Sequence, residues 1–149
     1  MVHAATRFAE LAPGQTWRSA GRTLTETDLA IFAMLSGDRH PIHVDAAYAK
    51  KTPFGQRLFH GTFGIAIAVA MATELPLLVE PVIAATGIEQ WQFRAPLRIG
   101  DTVHVQVELL ATRIVGDGRR GLLTRRLSLV RQDDEVAQQG TAGLMVSLT

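Results

Sequence analysis

The 149-residue sequence contains no cysteine, which removes a disulfide scaffold, Cys-ligated zinc and a thiol nucleophile together. It also lacks an excess of either charge. Fifteen Lys and Arg against 14 Asp and Glu leave a formal net charge of +1, so no broad field draws nucleic acid or an anionic membrane to it. Long hydrophobic runs are missing as well: the longest apolar stretch, Phe63 to Ala72, falls far short of the ~20 residues a bilayer span needs. The N-terminus, MVHAATRFAELAPG, has no basic segment leading into an apolar run, and the expectation is a soluble cytoplasmic protein without a membrane or nucleic-acid partner. No HExxH, paired-carboxylate or His-cluster spacing suggests a metal site, and neither GxxxxGK[ST] nor GxGxxG is present to cradle a phosphate. Charged residues are sparse at 19%, below the usual quarter, which hints that part of the surface is shared with another subunit.

The chain that remains is long enough for one globular domain, residues 1–149, able to bury roughly two-thirds of its unfolded surface. Its two halves differ in texture. Residues 15–25 alternate weakly like a strand. Thr25 then precedes ETDLAIFAMLSG with Asp28 three residues on, the pattern of a capped helix over Glu26 to Ser36 that stops at Gly37. Asp45 is placed to cap a short helix, AAYAKK. From His60 to about Val79 the sequence is apolar on nearly every face, which predicts a buried helix. After Pro81 four β-like segments follow, clearest where Val103, Val105, Val107 and Leu109 alternate with polar residues. One long buried helix with consecutive antiparallel strands predicts an α+β domain whose sheet wraps the helix.

The densest group of chemically capable residues is SGDRHPIHVD, Ser36 to Asp45. Asp38 and His43 are five apart, about 140° around a helix axis, and on a strand they would face opposite sides. An irregular, turned loop lets them converge, and Pro41 favours one because it disfavours helical geometry at His40 and cannot continue a preceding helix. A carboxylate and an imidazole over one cavity can move protons; the alternative is a turn-capping Asp38 and a packed loop histidine. At Phe59-His60-Gly61-Thr62, the first amides of the buried helix are free to bind an oxygen that gains negative charge, with Gly61 permitting close approach; a plain tight start to the helix is the alternative. His3 and His104, on a terminal segment and a polar strand face, are expected at the surface. Arg57, Arg94, Arg98, Arg119 and Arg120 are candidates for phosphate contacts, and most are expected to be solvated.

These motifs resemble those of the MaoC-like dehydratases, the hot-dog-fold group that includes R-specific enoyl-CoA hydratases. The resemblance rests on Asp38, Pro41, His43, Asp45, His60 and Gly61, with Pro96, Gly100 and Asp101 in a later turn, and covers roughly Thr25 to Arg113. It implies a hot-dog fold, a homodimer or higher homo-oligomer with continuous sheets, an acyl-CoA or acyl-carrier substrate, and no cofactor. By resemblance Asp38 and His43 hold and activate one water for syn addition across a trans-2-enoyl thioester, one removing a water proton and the other delivering a proton at C2. The Gly61 amide receives the thioester oxygen, with His40 and His60 beside it as substrate-binding candidates, and the product is an (R)-3-hydroxyacyl thioester. His40 departs from the family pattern, which usually has Asn there; histidine is bulkier and titrates near neutrality. A hot-dog thioesterase and a non-catalytic acyl-binding subunit are the alternatives. The first lacks the acid such enzymes place on the central helix, since Glu74 lies far from the helix start.

Overall fold

The computed structural model describes residues 6–77 and 79–149, so His3 lies outside the described residues. Helix α1, Glu26–Ser36, begins as the sequence predicts: Thr25 Oγ1 accepts from the Asp28 amide at 3.2 Å while Asp28 Oδ2 accepts from the Thr25 amide at 2.9 Å. It ends at Gly37, whose φ of 74° is the left-handed geometry a helix stop requires. Helix α3, Ala46–Lys50, is capped by Asp45, which accepts from the Tyr48 amide at 2.9 Å.

Two boundaries differ from the sequence reading. Residues Pro41–Val44 form a one-turn helix, α2, where an irregular loop was expected. Proline stops a helix that precedes it, yet its fixed φ suits the first helical position, and Pro41 occupies that position behind the extended His40. The buried helix, α4, runs Gly61–Thr73 and stops six residues before Val79. Pro76 disfavours helical geometry at Leu75, so the helix ends ahead of it; the Leu77 amide donates to the Leu75 carbonyl at 2.7 Å, and Leu77 is buried with its carbonyl bonded to the Thr6 amide.

Strands β1 (Thr16–Arg18), β2 (Arg22–Thr23), β3 (Val82–Phe93), β4 (Thr102–Val115), β5 (Arg120–Arg131) and β6 (Val136–Ser147) form one antiparallel sheet in the order β1-β4-β5-β6-β3, with β2 also on β4. Phe63, Ile67, Ala68 and Met71 of α4 pack into the core with the inward residues Val103, Val105, Val107, Leu127 and Leu129. The apolar stretch of α4 is therefore core, and the sheet wraps it as expected of an α+β hot dog. No helix among the described residues is long and apolar enough to cross a membrane.

His104 corrects the surface expectation. It is 5% exposed although it points away from α4, because β1 flanks β4 and brings Arg18 over it, with Nη2 3.4 Å from His104 Nδ1. Burial, and secondarily the Arg18 charge, push its imidazole pKa below the ordinary value. At the opposite edge β3 pairs with β6 alone and is exposed along nearly its whole length, including Val82, Ile83, Ile88 and Phe93.

Leu127 is fully buried between sheet and helix. Leu127→Ala is expected to cost about 2–5 kcal/mol, read as a lower urea midpoint with an unchanged slope.

Candidate active site

The site is assembled where α1 ends, α2 turns and α4 begins. His40 is the N-cap of α2, and its Nδ1 accepts from the Ile42 amide at 3.3 Å. The usual Asn would use its side-chain oxygen for such a cap, so the imidazole nitrogen serves the same acceptor role. One turn on, His43 is half-buried and places Nδ1 2.8 Å from the Leu58 carbonyl. A carbonyl can only accept, so Nδ1 carries the proton and the lone pair of neutral His43 sits on Nε2. That Nε2 lies 3.9 Å from Asp38 Oδ2. The convergence argued from the sequence is present, with a short helix rather than a loop producing it.

Asp38 is fixed from two directions. Its Oδ1 accepts from the His40 amide at 3.1 Å, and its carbonyl accepts from His60 Nε2 at 2.9 Å. The His40 amide, with smaller contributions from His43, His60 and His40 side chains, holds the carboxyl below the ordinary carboxylate value. Burial is the main cause that lowers the His43 imidazole pKa; the charge of nearby His60 adds to it, while the Leu58 bond and Asp38 oppose it. Near neutral pH the pair is therefore an ionised carboxylate facing a neutral imidazole, two proton acceptors on one point. A single water oxygen can lie ~2.8 Å from both and donate one hydrogen to each.

His60 is 2% exposed, and its ring stacks on His43 with centroids 3.8 Å apart. Its position supports Asp38 and His43 from beneath. His60 also precedes Gly61, the first residue of α4, whose amide has no partner within the helix and lies at the positive end of the helix dipole. A Cβ at Gly61 would stand 2.8 Å from the Phe93 ring, so any larger residue there would have to displace that ring. Phe54, Leu58, Gly61, Phe93 and Gln138 line part of a cleft of about 280 Å³.

Asp38, His43 and His60 bring one ligand atom each within 4.8 Å of one another. Two of these, Asp38 Oδ2 and His43 Nε2, are free to ligate a metal, but His60 Nε2 must hold its proton to donate to the Asp38 carbonyl. That leaves fewer ligands than a three-residue metal site needs.

The later turn supports the same centre. Asp101 Oδ2 accepts from the Arg98 amide at 2.7 Å, Gly100 adopts φ 94°, and the Leu97 carbonyl receives the Phe59 amide at 2.9 Å. This anchors the Leu58–Phe59 segment whose carbonyl orients His43. Among the arginine candidates, Arg57 pairs with Glu26, Arg119 with Asp117, and Arg94 lines the cleft while bonding Gln92. Phe93 and Gln138 were not singled out in the sequence. Gln138 stands in phase with the inward-facing Gly140 and Ala142, a polar side chain in a core register, but that phase becomes visible only once β6 is paired.

The MaoC like domain profile matches residues 8–129. The chain is 40% identical over 100 residues to protein MaoC of Klebsiella aerogenes, covering 67% of this chain and 29% of that much longer protein. It is 36% identical over 137 residues to a 3-hydroxybutyryl-CoA dehydratase of Methylorubrum extorquens, covering 91% of this chain and 80% of the relative. A monoamine oxidase regulatory protein from Archaeoglobus superposes with a TM-score of 0.88 at 30% identity over 100% of this chain and 99% of its own. A double hot-dog protein of Mycobacterium tuberculosis shares the fold, with a TM-score of 0.77 at 21% identity over 97% of this chain and 45% of its own. With the Asp38–His43 pair, the Gly61 helix start and the wrapped central helix in place, the chain belongs to the MaoC-like dehydratase domain family.

Proposed function

We propose that this protein reversibly adds water to a trans-2-enoyl thioester of CoA or an acyl carrier, giving an (R)-3-hydroxyacyl thioester. The observation that carries this reading is the pairing of His43 Nε2 with Asp38 Oδ2 at 3.9 Å beside the free start of α4. The water donates one hydrogen to the Asp38 carboxylate and the other to His43 Nε2, leaving an oxygen lone pair for C3. As the C3–O bond forms, His43 takes the proton, and the enolate charge that grows on the thioester oxygen is met by the Gly61 amide. His43 then returns the proton to C2 from the same face, so addition is syn, atoms balance, and Asp38 offsets the transient imidazolium charge. Dehydration is the same path reversed. His40 and His60 hold this pair in position, one as the α2 cap and the other through the Asp38 carbonyl. No step calls for a metal or redox cofactor.

A homodimer through the open β3 edge fits this reading: its unpaired backbone groups and exposed Val82, Ile83 and Ile88 need a partner, and a second β3 supplies one. Thioester hydrolysis is disfavoured because Glu74 caps the C-terminal end of α4, about 20 Å from Gly61 along the helix.

Purified protein is expected to hydrate crotonyl-CoA, followed by loss of enoyl thioester absorbance. Asp38→Asn and His43→Gln each should lower kcat by about 10²–10⁴-fold with the fold retained by circular dichroism. Crotonyl-CoA and longer enoyl-CoAs that show no turnover dependent on these two residues would sink the proposal.

The pH profile of kcat/KM follows from neutral His43. Because burial depresses its pKa, the rate should stay level from pH 8 down past the ordinary imidazole value and fall only at lower pH as His43 protonates. A rate already halved at pH 7 contradicts this.

His40→Asn keeps an α2 cap and should retain most of the activity. His40→Ala loses an acceptor worth about 1 kcal/mol of stability, which loosens α2, and its kcat should fall below that of His40→Asn. Equal losses in both variants would show that the ring does more than cap.

A further inference from the structure

Gly61 and Gly64 lie three residues apart on one side of α4, and the space their missing side chains leave is filled from the sheet by Phe93 and Gln138, which face each other across β3 and β6. The two walls differ in freedom. Phe93 is 59% exposed at the end of the edge strand, and its ring can swing outward. Gln138 is 3% exposed and cannot. Its Oε1 accepts from Trp91 Nε1 at 3.0 Å, so the amide cannot flip, and its Nε2 lies directly over Gly64, where any Cβ would collide with it. Trp91 is fixed in turn because Gly140 has no side chain beneath its ring. A bulge in β3, with Gln90 at φ 52°, directs Trp91 toward Gln138.

We infer that Gln138 is a specificity-determining residue: it forms the fixed end wall of the acyl space beside Gly61 and restricts the enzyme to short enoyl thioesters of about four carbons. The inference rests on the proposed hydratase reading. With the thioester carbonyl at the Gly61 amide, the helix advances about 4.5 Å to Gly64, the reach of about three carbon–carbon bonds, so the chain meets Gln138 at C4. Phe93 turns aside to admit the substrate; Gln138, locked through Trp91, stops it.

The test compares kcat/KM for trans-2-enoyl-CoAs of four, six and eight carbons. The wild-type protein is expected to favour the four-carbon substrate over the eight-carbon one at least tenfold. Gln138→Ala should raise the eight-to-four ratio tenfold or more, and Trp91→Phe, which removes the N–H and keeps a smaller aromatic ring, should raise it by a smaller factor. Gln138→Met, which keeps the length but loses the amide and with it the Trp91 bond, should raise the ratio by about as much as Trp91→Phe does. Should the alanine variant fail to fold, Gln138→Thr reads the same ratio. A wild-type protein indifferent to chain length, or variants that lower all three rates equally, overturns the assignment while leaving the hydratase reading intact. Absence of turnover on every chain length overturns the hydratase reading, and this inference with it.

Discussion

The site depends on one hydrogen bond, from His43 Nδ1 to the Leu58 carbonyl. It fixes which ring nitrogen holds the proton and turns the remaining lone pair toward Asp38. Everything around it keeps that bond in place. The Leu58 amide donates to the Ile42 carbonyl in α2, so donor and acceptor segments are tied on both sides. The turn after β3 bonds the neighbouring Phe59 through Leu97, and His60 holds the Asp38 carbonyl while stacking on His43. The partial burial of His43 suits the proposed role of base, since a desolvated imidazole stays neutral and ready to accept a proton.

Glycine placement organises the other half of the centre. Gly61 opens α4 with an amide that has no partner within the helix and leaves room for Phe93, Gly64 yields space to Gln138, and Gly140 yields space to Trp91. In each case a side chain from one layer occupies the room left by a missing side chain in the next. Asp38 and His43 sit on the α1–α2 side of the Leu58–Gly61 segment, and Phe93 and Gln138 lie on the sheet side. In the proposed function, chemistry and choice of substrate are thereby assigned to separate elements that meet at the start of one helix.

Local signals made most of this legible in the sequence. Thr25 with Asp28, Gly37 and Asp45 marked helix ends through side-chain hydrogen bonds made within a few residues, and the valine alternation of β4 marked its inward face. Asp38, His43 and Gly61 were recognisable as a motif. The misreadings arose where tertiary context decides. Pro41 starts a helix instead of shaping a loop, α4 ends early ahead of Pro76, and His104 is covered by Arg18 from a strand 86 residues away. Gln138 was invisible because its meaning lies in a pairing with Trp91 across 47 residues.

The proposed chemistry turns on the protonation state that the Leu58 carbonyl imposes on His43. Nitrogen NMR on ¹⁵N-histidine-labelled protein at neutral pH, assigned with the His43→Gln variant, reads it directly. The predicted result is a neutral ring with the proton on Nδ1 and an unprotonated Nε2. A neutral ring protonated on Nε2, or an imidazolium at that pH, would contradict the mechanism, since Nε2, the nitrogen that faces Asp38, would then have no lone pair to receive the proton of the water.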